Sequence, residues 1–367
     1  MKIIKFGKST ISDQASCYVI AEIGHNHQGN LKVAVDMIKI AASCGAQAVK
    51  FQKRNNKTLY TKAMYDKPYD NEDSFGMTYG EHRDFLEFGW DEYVILKKCT
   101  EENNVEFMCT AFDFESVDFL ERLGISSYKL ASGDLTNLPL IEYIAKLNKP
   151  IFLSTGAANL EEVRRAYVTV TKYHDQICFL HTVCAYPAEY SDLNLNAITT
   201  LKREFPNVLV GYSGHDNGIL AAVIARMLGA CVIEKHFTIN HAWKGTDHKF
   251  SLEPEGLRKQ IRDLQRFELS LGDGKKSCKD IEVSAKIKMG KSLYAKKTLK
   301  AGTVLTKDHI AIKSPAGGLQ PYFLDKIIGM RLKKKLAEDD MIQMEALICD
   351  ETISQKKNRA ARPIKTT

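Results

Sequence analysis

Tyr18-Val-Ile-Ala-Glu22, Ala48-Val-Lys-Phe-Gln52 and Cys231-Val-Ile-Glu-Lys-His236 decide the fold. Each is a short apolar run, rich in β-branched residues, that stops on polar or charged side chains, as a buried parallel strand does. Glu106–Thr110, Ser127–Ala131, Pro150–Ser154, Ile177–Val183 and Leu209–Ser213 share that character. Between these runs lie longer stretches of helical period, among them Leu31–Cys44, Asp91–Asn103, Asn159–Tyr173, Gly218–Leu228 and Pro254–Leu271. Strand, loop and helix therefore repeat from Tyr18 to Leu271, which predicts an α/β protein built as a closed (β/α)8 TIM barrel. An open doubly wound sheet is the lesser alternative. One connection breaks the rhythm: the stretch from Lys53 to the helix at Asp91 is long and rich in Tyr, Asp, Asn and Lys. Loops of that length are functional or disordered.

The chain has 367 residues, too many for one typical domain and enough for a barrel of roughly 250 residues with a small module after it. The texture changes after Leu271. A charged, turn-rich segment predicts a linker over 272–283, and strand patterns around Ser292–Lys297 and His309–Ile312 predict a compact β-rich cap over 284–350. The basic residues of 351–367 meet no acidic partners and read as a disordered tail. Nine scattered cysteines without a Cys-x-x-Cys pair exclude a disulfide framework and a zinc knuckle, and predict reduced thiols. No signal-peptide run and no membrane-spanning apolar stretch is visible, so a cytoplasmic protein is expected. The formal charge of +7 comes in part from the tail. No basic stripe interleaved with aromatics occurs, so an anionic small substrate is favoured over nucleic acid.

Polar residues cluster where the predicted strands end, at the rim that carries the chemistry of such barrels. Lys50 and Lys129 each end an apolar strand, where a charge is costly without a counterion, and a phosphate is the natural partner. Structural ion pairs to Glu22 or Glu234 are the competing explanation. Thr110, Ser132, Ser154 and Ser213 offer hydroxyls to the same phosphate. His215 and His236 fall on neighbouring strand ends, and two neutral imidazoles plus waters suit Mn2+ or Mg2+. Against that stands the commoner reading of a hydrogen-bonded buried histidine. His25 and His27 read as loop-positioning groups.

The rim blocks resemble the N-acetylneuraminate synthase family over nearly the whole chain. The resemblance is carried by Ala21-Glu22-Ile-Gly24 with Asn26-His27, Val49-Lys50-Phe-Gln52, Thr78-Tyr-Gly-Glu-His82, Lys129-Leu-Ala-Ser132-Gly-Asp134, Leu153-Ser154-Thr-Gly156, Ala185-Tyr186-Pro187, Gly211-Tyr-Ser213-Gly-His215, Glu234-Lys-His236 and Gly245-Thr-Asp247-His248. The segment after Lys291 is similar to that family's antifreeze-protein-like (SAF) cap. The resemblance implies a transferase in which the methylene of phosphoenolpyruvate attacks the open-chain aldehyde of an N-acylated mannosamine-like sugar, or its 6-phosphate. Water then captures the enol carbon and phosphate departs by carbon–oxygen cleavage. It implies that His215 and His236 hold a divalent metal, and that Lys50, Thr110, Lys129, Ser132, Ser154 and Ser213 bind phosphoenolpyruvate. Glu22, Gln52, Tyr186 and Asp247 would line the metal and sugar pocket, and Asp134 would lie near the reacting carbons. It further implies a domain-swapped homodimer in which each cap closes over the other barrel. Legionaminic, pseudaminic and deaminated nonulosonic acid synthases are the neighbouring alternatives, and a non-catalytic sugar-binding member is a more distant one. Two positions depart from the common bacterial pattern: Cys184 stands where Asn or Ser is usual in the phosphate cradle, and Ser314 where an Arg of the cap is usual.

Overall fold

The computed structural model describes residues 2–348, so the expected basic tail lies outside the described residues. The chain divides into two compact units that meet in sequence at Gly272 and Asp273.

In the first unit, β1 (Ile3–Phe6) and β2 (Ser9–Ser12) form an antiparallel hairpin. Eight parallel strands then close into a barrel: β3 (Tyr18–Gly24), β4 (Ala48–Lys53), β5 (Glu106–Ala111), β6 (Tyr128–Leu130), β7 (Ile151–Ser154), β8 (Ile177–His181), β9 (Leu209–Gly214) and β10 (Val232–His236). The register Val232↔Tyr18 to His236↔Glu22 joins the last strand to the first and leaves no edge. The open-sheet alternative is thereby excluded. Four strands are shorter than their apolar runs suggest, β6 by a residue at each end, β8 by two at its C-terminus, and β7 and β10 by one at the N-terminus.

Side chains alternate across each strand, and the two faces build two separate cores. Val19, Ala21, Val49, Phe51, Phe107, Leu130, Leu153, Phe179, Val210 and Ile233 face the outer helices. Tyr18, Ile20, Ala48, Met108, Phe152, Cys178, Leu180, Leu209 and Val232 fill the barrel's interior at its N-terminal end. The hairpin, which the sequence pattern did not reveal, plugs that end. Its Ile4, Phe6 and Ile11 join the interior core, and Phe6 meets Tyr18 and Phe152 edge-on at 5.8 and 5.3 Å between ring centroids. Each apolar side chain so buried contributes about 1.5–3 kcal/mol. One strand position needs a bare backbone: a Cβ on Gly211 would lie 2.6 Å from Leu180 Cδ2 and from the Val232 carbonyl oxygen.

The same parity continues upward. Two residues beyond the apolar layer the interior positions are Glu22, Lys50, Thr110, Ser154 and Glu234, so the interior turns from apolar to ionised at one level. The long connection after β4 folds into helices Asn56–Leu59, Lys62–Tyr65 and Tyr79–Leu86. The last is set by a capping box, in which the Thr78 side chain accepts from Glu81 N while the Glu81 carboxylate accepts from Thr78 N.

In the second unit a helix occupies Asp280–Met289, spanning the point where the linker was expected to give way to the cap. Strand β11 (Ser292–Ala295) pairs antiparallel with β12 (Ile310–Lys313), and β13 (Arg331–Leu332) with β14 (Leu347–Ile348). Leu293, Leu299, Leu305, Ile327, Leu332, Leu336, Ile342 and Leu347 form its own small core. Ser314 follows β12, in hydrogen-bond contact with Lys291 Nζ. The eight cysteines described are free thiols, and no described helix is long and apolar enough to cross a membrane.

Candidate active site

At the C-terminal ends of the barrel strands lies a cavity of about 610 Å3. Glu22, Lys50, Gln52, Thr110, Lys129, Ser132, Asp134, Ser154, Tyr186, Ser213, His215, His236 and Asp247 all line it. Every site residue expected from the sequence is therefore brought to one place, and the lining is drawn from residues 22–247.

The two lysines differ. Lys50 Nζ lies 2.8 Å from Glu22 Oε2 and 3.5 Å from Glu234 Oε1, and donates to Thr110 Oγ1 at 2.9 Å. Burial works against its charge, yet Glu22 and Glu234 outweigh it and raise its pKa. Lys129 Nζ donates to Ser154 Oγ at 2.7 Å and to the Leu130 carbonyl at 2.8 Å, and among the described residues no carboxylate pairs with it. Burial, with Lys50 adding repulsion against the pull of Glu234, lowers it to about 8. The ion-pair explanation thus describes Lys50 as it stands but not Lys129, a buried ammonium still lacking an anion. Burial lifts the Glu22 carboxyl above the usual range despite Lys50. Glu234 is also buried, but Lys50 and Lys129 hold it below that range, and it accepts from Ser213 Oγ at 3.0 Å.

Beside Lys129, Gly156 N donates to Ser132 Oγ at 3.1 Å. A Cβ on Gly156 would lie 2.6 Å from Cys184 Sγ and 2.9 Å from Ser132 Oγ. The hollow between hydroxyl, thiol and backbone N–H is thus kept open by the missing side chain, as an anion cradle requires. Asp134, whose carboxyl burial raises, accepts from Asn137 Nδ2 at 3.2 Å at the edge of this region.

Across the cavity, His215 and His236 end adjacent strands with ring centroids 5.5 Å apart. His215 Nδ1 donates to the Val183 carbonyl at 2.7 Å, which leaves Nε2 with a free lone pair. Burial, then His236, lowers His215 to about 4, and burial likewise lowers His236, so both rings are neutral near pH 7. His236 Nδ1 is buried without a hydrogen-bond partner, with Asp247 Oδ2 at 3.6 Å. Tyr186 lies over His215 at 4.2 Å between centroids.

Residues 37–276 match the NeuB family and residues 290–348 the SAF domain. This chain belongs to the NeuB family. It is 38% identical over 339 residues to the N-acetylneuraminate-9-phosphate synthase of Homo sapiens, covering 92% of this chain and 94% of that one. It is also 38% identical over 335 residues to the N,N'-diacetyllegionaminic acid synthase of Campylobacter jejuni, covering 89% and 98%. Among solved structures it resembles the N-acetylneuraminic acid synthetase of Leptospira borgpetersenii, with a TM-score of 0.67 and 31% identity over 77% of this chain and 96% of that one.

A NeuB-family barrel of this sequence could hold a divalent ion on the free Nε2 of His215 and on His236, whose unpartnered ring nitrogen shows unmet capacity. Among the described residues no three His, Cys, Asp or Glu side chains converge as a closed ligand set. The donors therefore fit an open site completed by water or substrate oxygen. His27 stacks on Phe88 at 4.2 Å and accepts from Gly29 N at 3.1 Å, whereas His25 lines the cavity between Arg54 and Arg83. Those two arginines, with Tyr60 and Phe75, also line the cavity and were not foreseen. The length of the connection after β4 was the one signal for them.

Proposed function

We propose that this chain is a nonulosonic (sialic) acid synthase, which joins phosphoenolpyruvate to the open-chain aldehyde of an N-acetylmannosamine-type sugar and releases phosphate. The observation that carries the reading is the division of one cavity into a lysine-hydroxyl side and an imidazole side, facing each other across Glu22 and Gln52. Lys129, Ser154, Ser132 and Gly156 N would take the phosphate of phosphoenolpyruvate, with Lys50, Thr110 and Ser213 completing the anion side. A divalent metal, Mn2+ or Mg2+, held by His215 and His236 would polarise the sugar aldehyde. Tyr186, Gln52 and Asp247 would hold the sugar against that side, and Asp134 would stand near the reacting carbons.

A carbon–carbon bond forms between the methylene of phosphoenolpyruvate and the aldehyde carbon, whose oxygen takes up a proton. Water adds at the enol carbon, and the bond from that carbon to the phosphate oxygen breaks. Glu22, whose carboxyl is drawn towards its neutral form between Lys50 and Gln52, is placed to manage a proton in this sequence. The oxocarbenium-like centre must meet one water only, so we take the active form to be a cytoplasmic homodimer in which the SAF cap of one copy covers the barrel of the other. Exposed apolar residues on the helix before the cap, Ile281, Ile287 and Met289, are available for such an association.

The test is phosphate release from phosphoenolpyruvate and Mn2+ across a panel of hexosamines, with the product's mass measured. A product heavier than the sugar by the pyruvate unit is expected. Absence of release with every N-acylated mannosamine, including the legionaminic and pseudaminic precursors, would overturn the reading.

A further inference from the structure

On the helix side of the barrel wall, behind the two imidazoles, lies a buried polar cluster that the condensation reading does not use. Strand parity puts Glu234 and His236 in the cavity and turns Lys235, between them, outward. Lys235 is 1% exposed, and its Nζ lies 3.0 Å from Oδ1 of Asp216, which is fully buried. The same ammonium donates to the Asp216 carbonyl oxygen. From β9, the Tyr212 hydroxyl donates to Asp216 Oδ1 at 2.6 Å. Each member of the ion pair is thus the chain neighbour of one imidazole, Asp216 of His215 and Lys235 of His236.

The backbone needs a fastening at this point. Pairing of β9 with β10 runs from Ile233↔Tyr212 to Lys235↔Gly214 and stops one residue short of both histidines. The cluster closes tightly over that end: a Cβ on Gly214 would lie 2.5 Å from Tyr212 Cε1 and 2.6 Å from Asp216 Oδ1. The Val183 carbonyl orients the His215 ring, whereas His236 Nδ1 has no hydrogen-bond partner, so the spacing of the two rings rests on the backbones that carry them. Stability alone does not account for the cluster. A buried ion pair gives up the hydration of both charges, and well-packed apolar side chains often hold a fold as firmly. Asp216 Oδ2 is moreover buried without a hydrogen-bond partner. What the cluster supplies, and apolar packing does not, is direction: one ammonium holds both the carboxylate and the carbonyl of Asp216, and so fixes the backbone next to His215.

We propose that Lys235, Asp216 and Tyr212 are positioning residues, a clasp behind the wall that sets the spacing of His215 and His236 and thereby the affinity of that side for its divalent ion. The proposal rests on the assignment of a divalent metal to those two imidazoles. Ligands supplied by separate strands bind one ion well only when their separation is fixed beforehand, since the ion must otherwise draw the strand ends into place. Partners outside the ligand set tune metal affinity in this way by about 10–100-fold.

The decisive measurement is calorimetric titration of the full-length protein with Mn2+, without either substrate, in the wild type, in Tyr212→Phe and in the double variant Lys235→Met with Asp216→Asn. The double change removes both charges together, so neither is left buried alone. It should weaken Mn2+ binding by about tenfold to a hundredfold, and Tyr212→Phe by about threefold. Phosphoenolpyruvate binding, titrated in EDTA, should be unchanged in both, because Lys129, Ser132 and Ser154 stand elsewhere on the rim. Tyr128→Phe is the control: its hydroxyl donates to Glu121 Oε2 at 2.9 Å on the same outer side of the wall, but next to Lys129 instead of the imidazoles. It should leave Mn2+ affinity as it was. In turnover, excess Mn2+ should return Tyr212→Phe to the wild-type kcat. Mn2+ affinity retained in both clasp variants, lost equally in Tyr128→Phe, or lost together with phosphoenolpyruvate binding would overturn the clasp. Should the double variant show no thermal transition, Tyr212→Phe decides. A wild type that binds no Mn2+ would overturn the clasp together with the metal assignment, while the condensation reading would still be judged by phosphate release.

Discussion

The floor and the mouth of the cavity carry positive charge in different ways. On the floor, Lys50 and Lys129 stand on strands, and the carboxylates Glu22 and Glu234 come from strands of the same barrel. Their positions follow from strand parity and closure, and both carboxylates lie within 4.0 Å of Lys50 but neither lies that close to Lys129. At the mouth, Arg54 and Arg83 come from a long connection and its helix, among the described residues Arg54 alone of the two has a carboxylate within 4.0 Å, and both lie against one imidazole. A floor held on strands suits a reaction in which charge is rearranged among bound groups, because little reorganisation is needed. A mouth held on a connection suits the choice of which substrate enters, because changing a loop leaves the barrel intact.

The imidazole side of the floor should show the largest effect. His236→Ala is expected to lower kcat on the order of a hundredfold or more and to abolish stimulation by Mn2+, because polarising the aldehyde is worth several kcal/mol. Treatment with EDTA should reproduce the loss in the wild type, and added Mn2+ should restore it there but not in the variant. A condensation rate indifferent to EDTA would remove metal from the floor altogether.

The lysine side should split in a way that sharpens the contrast within the floor. Lys129→Met should weaken phosphoenolpyruvate by about tenfold to a hundredfold in kcat/KM while leaving KM for the sugar nearly unchanged. Equal losses for both substrates would mean that Lys129 has a structural task instead. The wild type should also carry a pH signature. In the proposed role Lys129 would bind phosphate as the ammonium, and its pKa is lowered to about 8, so affinity should be full below that pH and fall as pH rises through it. KM for phosphoenolpyruvate should climb about tenfold per pH unit above 8, and that limb should be absent in Lys129→Met. The mouth should be silent in the same titration, since its guanidiniums stay charged throughout.

The floor was legible in the sequence and the mouth was not, for a physical reason. A strand imposes a period of two, so once Ile20 or Ala48 is assigned to the interior, Glu22 and Lys50 must follow it there. No comparable rule reaches Arg54, just past its strand, or Arg83, on a helix whose orientation depends on the fold of the whole connection. The length of that connection marked it as functional without saying which side chains turn inward. The N-terminal hairpin escaped for a related reason: its four-residue strands carry little periodicity, and their value comes from plugging the barrel next to Tyr18 and Phe152. Lys50 illustrates the remaining limit, because a lysine ending an apolar strand fits both an awaited anion and a carboxylate partner, and its distances to Glu22 and Glu234 were needed to show the pairing.

The smallest effect concerns the one weak donor of the floor. Cys184 Sγ and Ser132 Oγ both border the space that a Cβ on Gly156 would fill, and the Gly156 N–H donates to Ser132 Oγ. A thiol donates poorly to a phosphate oxygen, whereas a hydroxyl in its place donates well. Cys184→Ser is therefore expected to lower KM for phosphoenolpyruvate by about threefold, in keeping with a single neutral hydrogen bond worth about 0.5–1.5 kcal/mol. Cys184 is exposed in the cavity wall, so the substitution removes no core packing, and the melting temperature should hardly move. The sugar's KM should stay constant, because the thiol belongs to the Lys129 side and not to the imidazoles. If Cys184→Ser instead alters KM for the sugar while sparing phosphoenolpyruvate, the assignment of Ser132 and Gly156 N to the phosphate cradle is wrong. The anion side would then shrink to the lysines and the hydroxyls bonded to them.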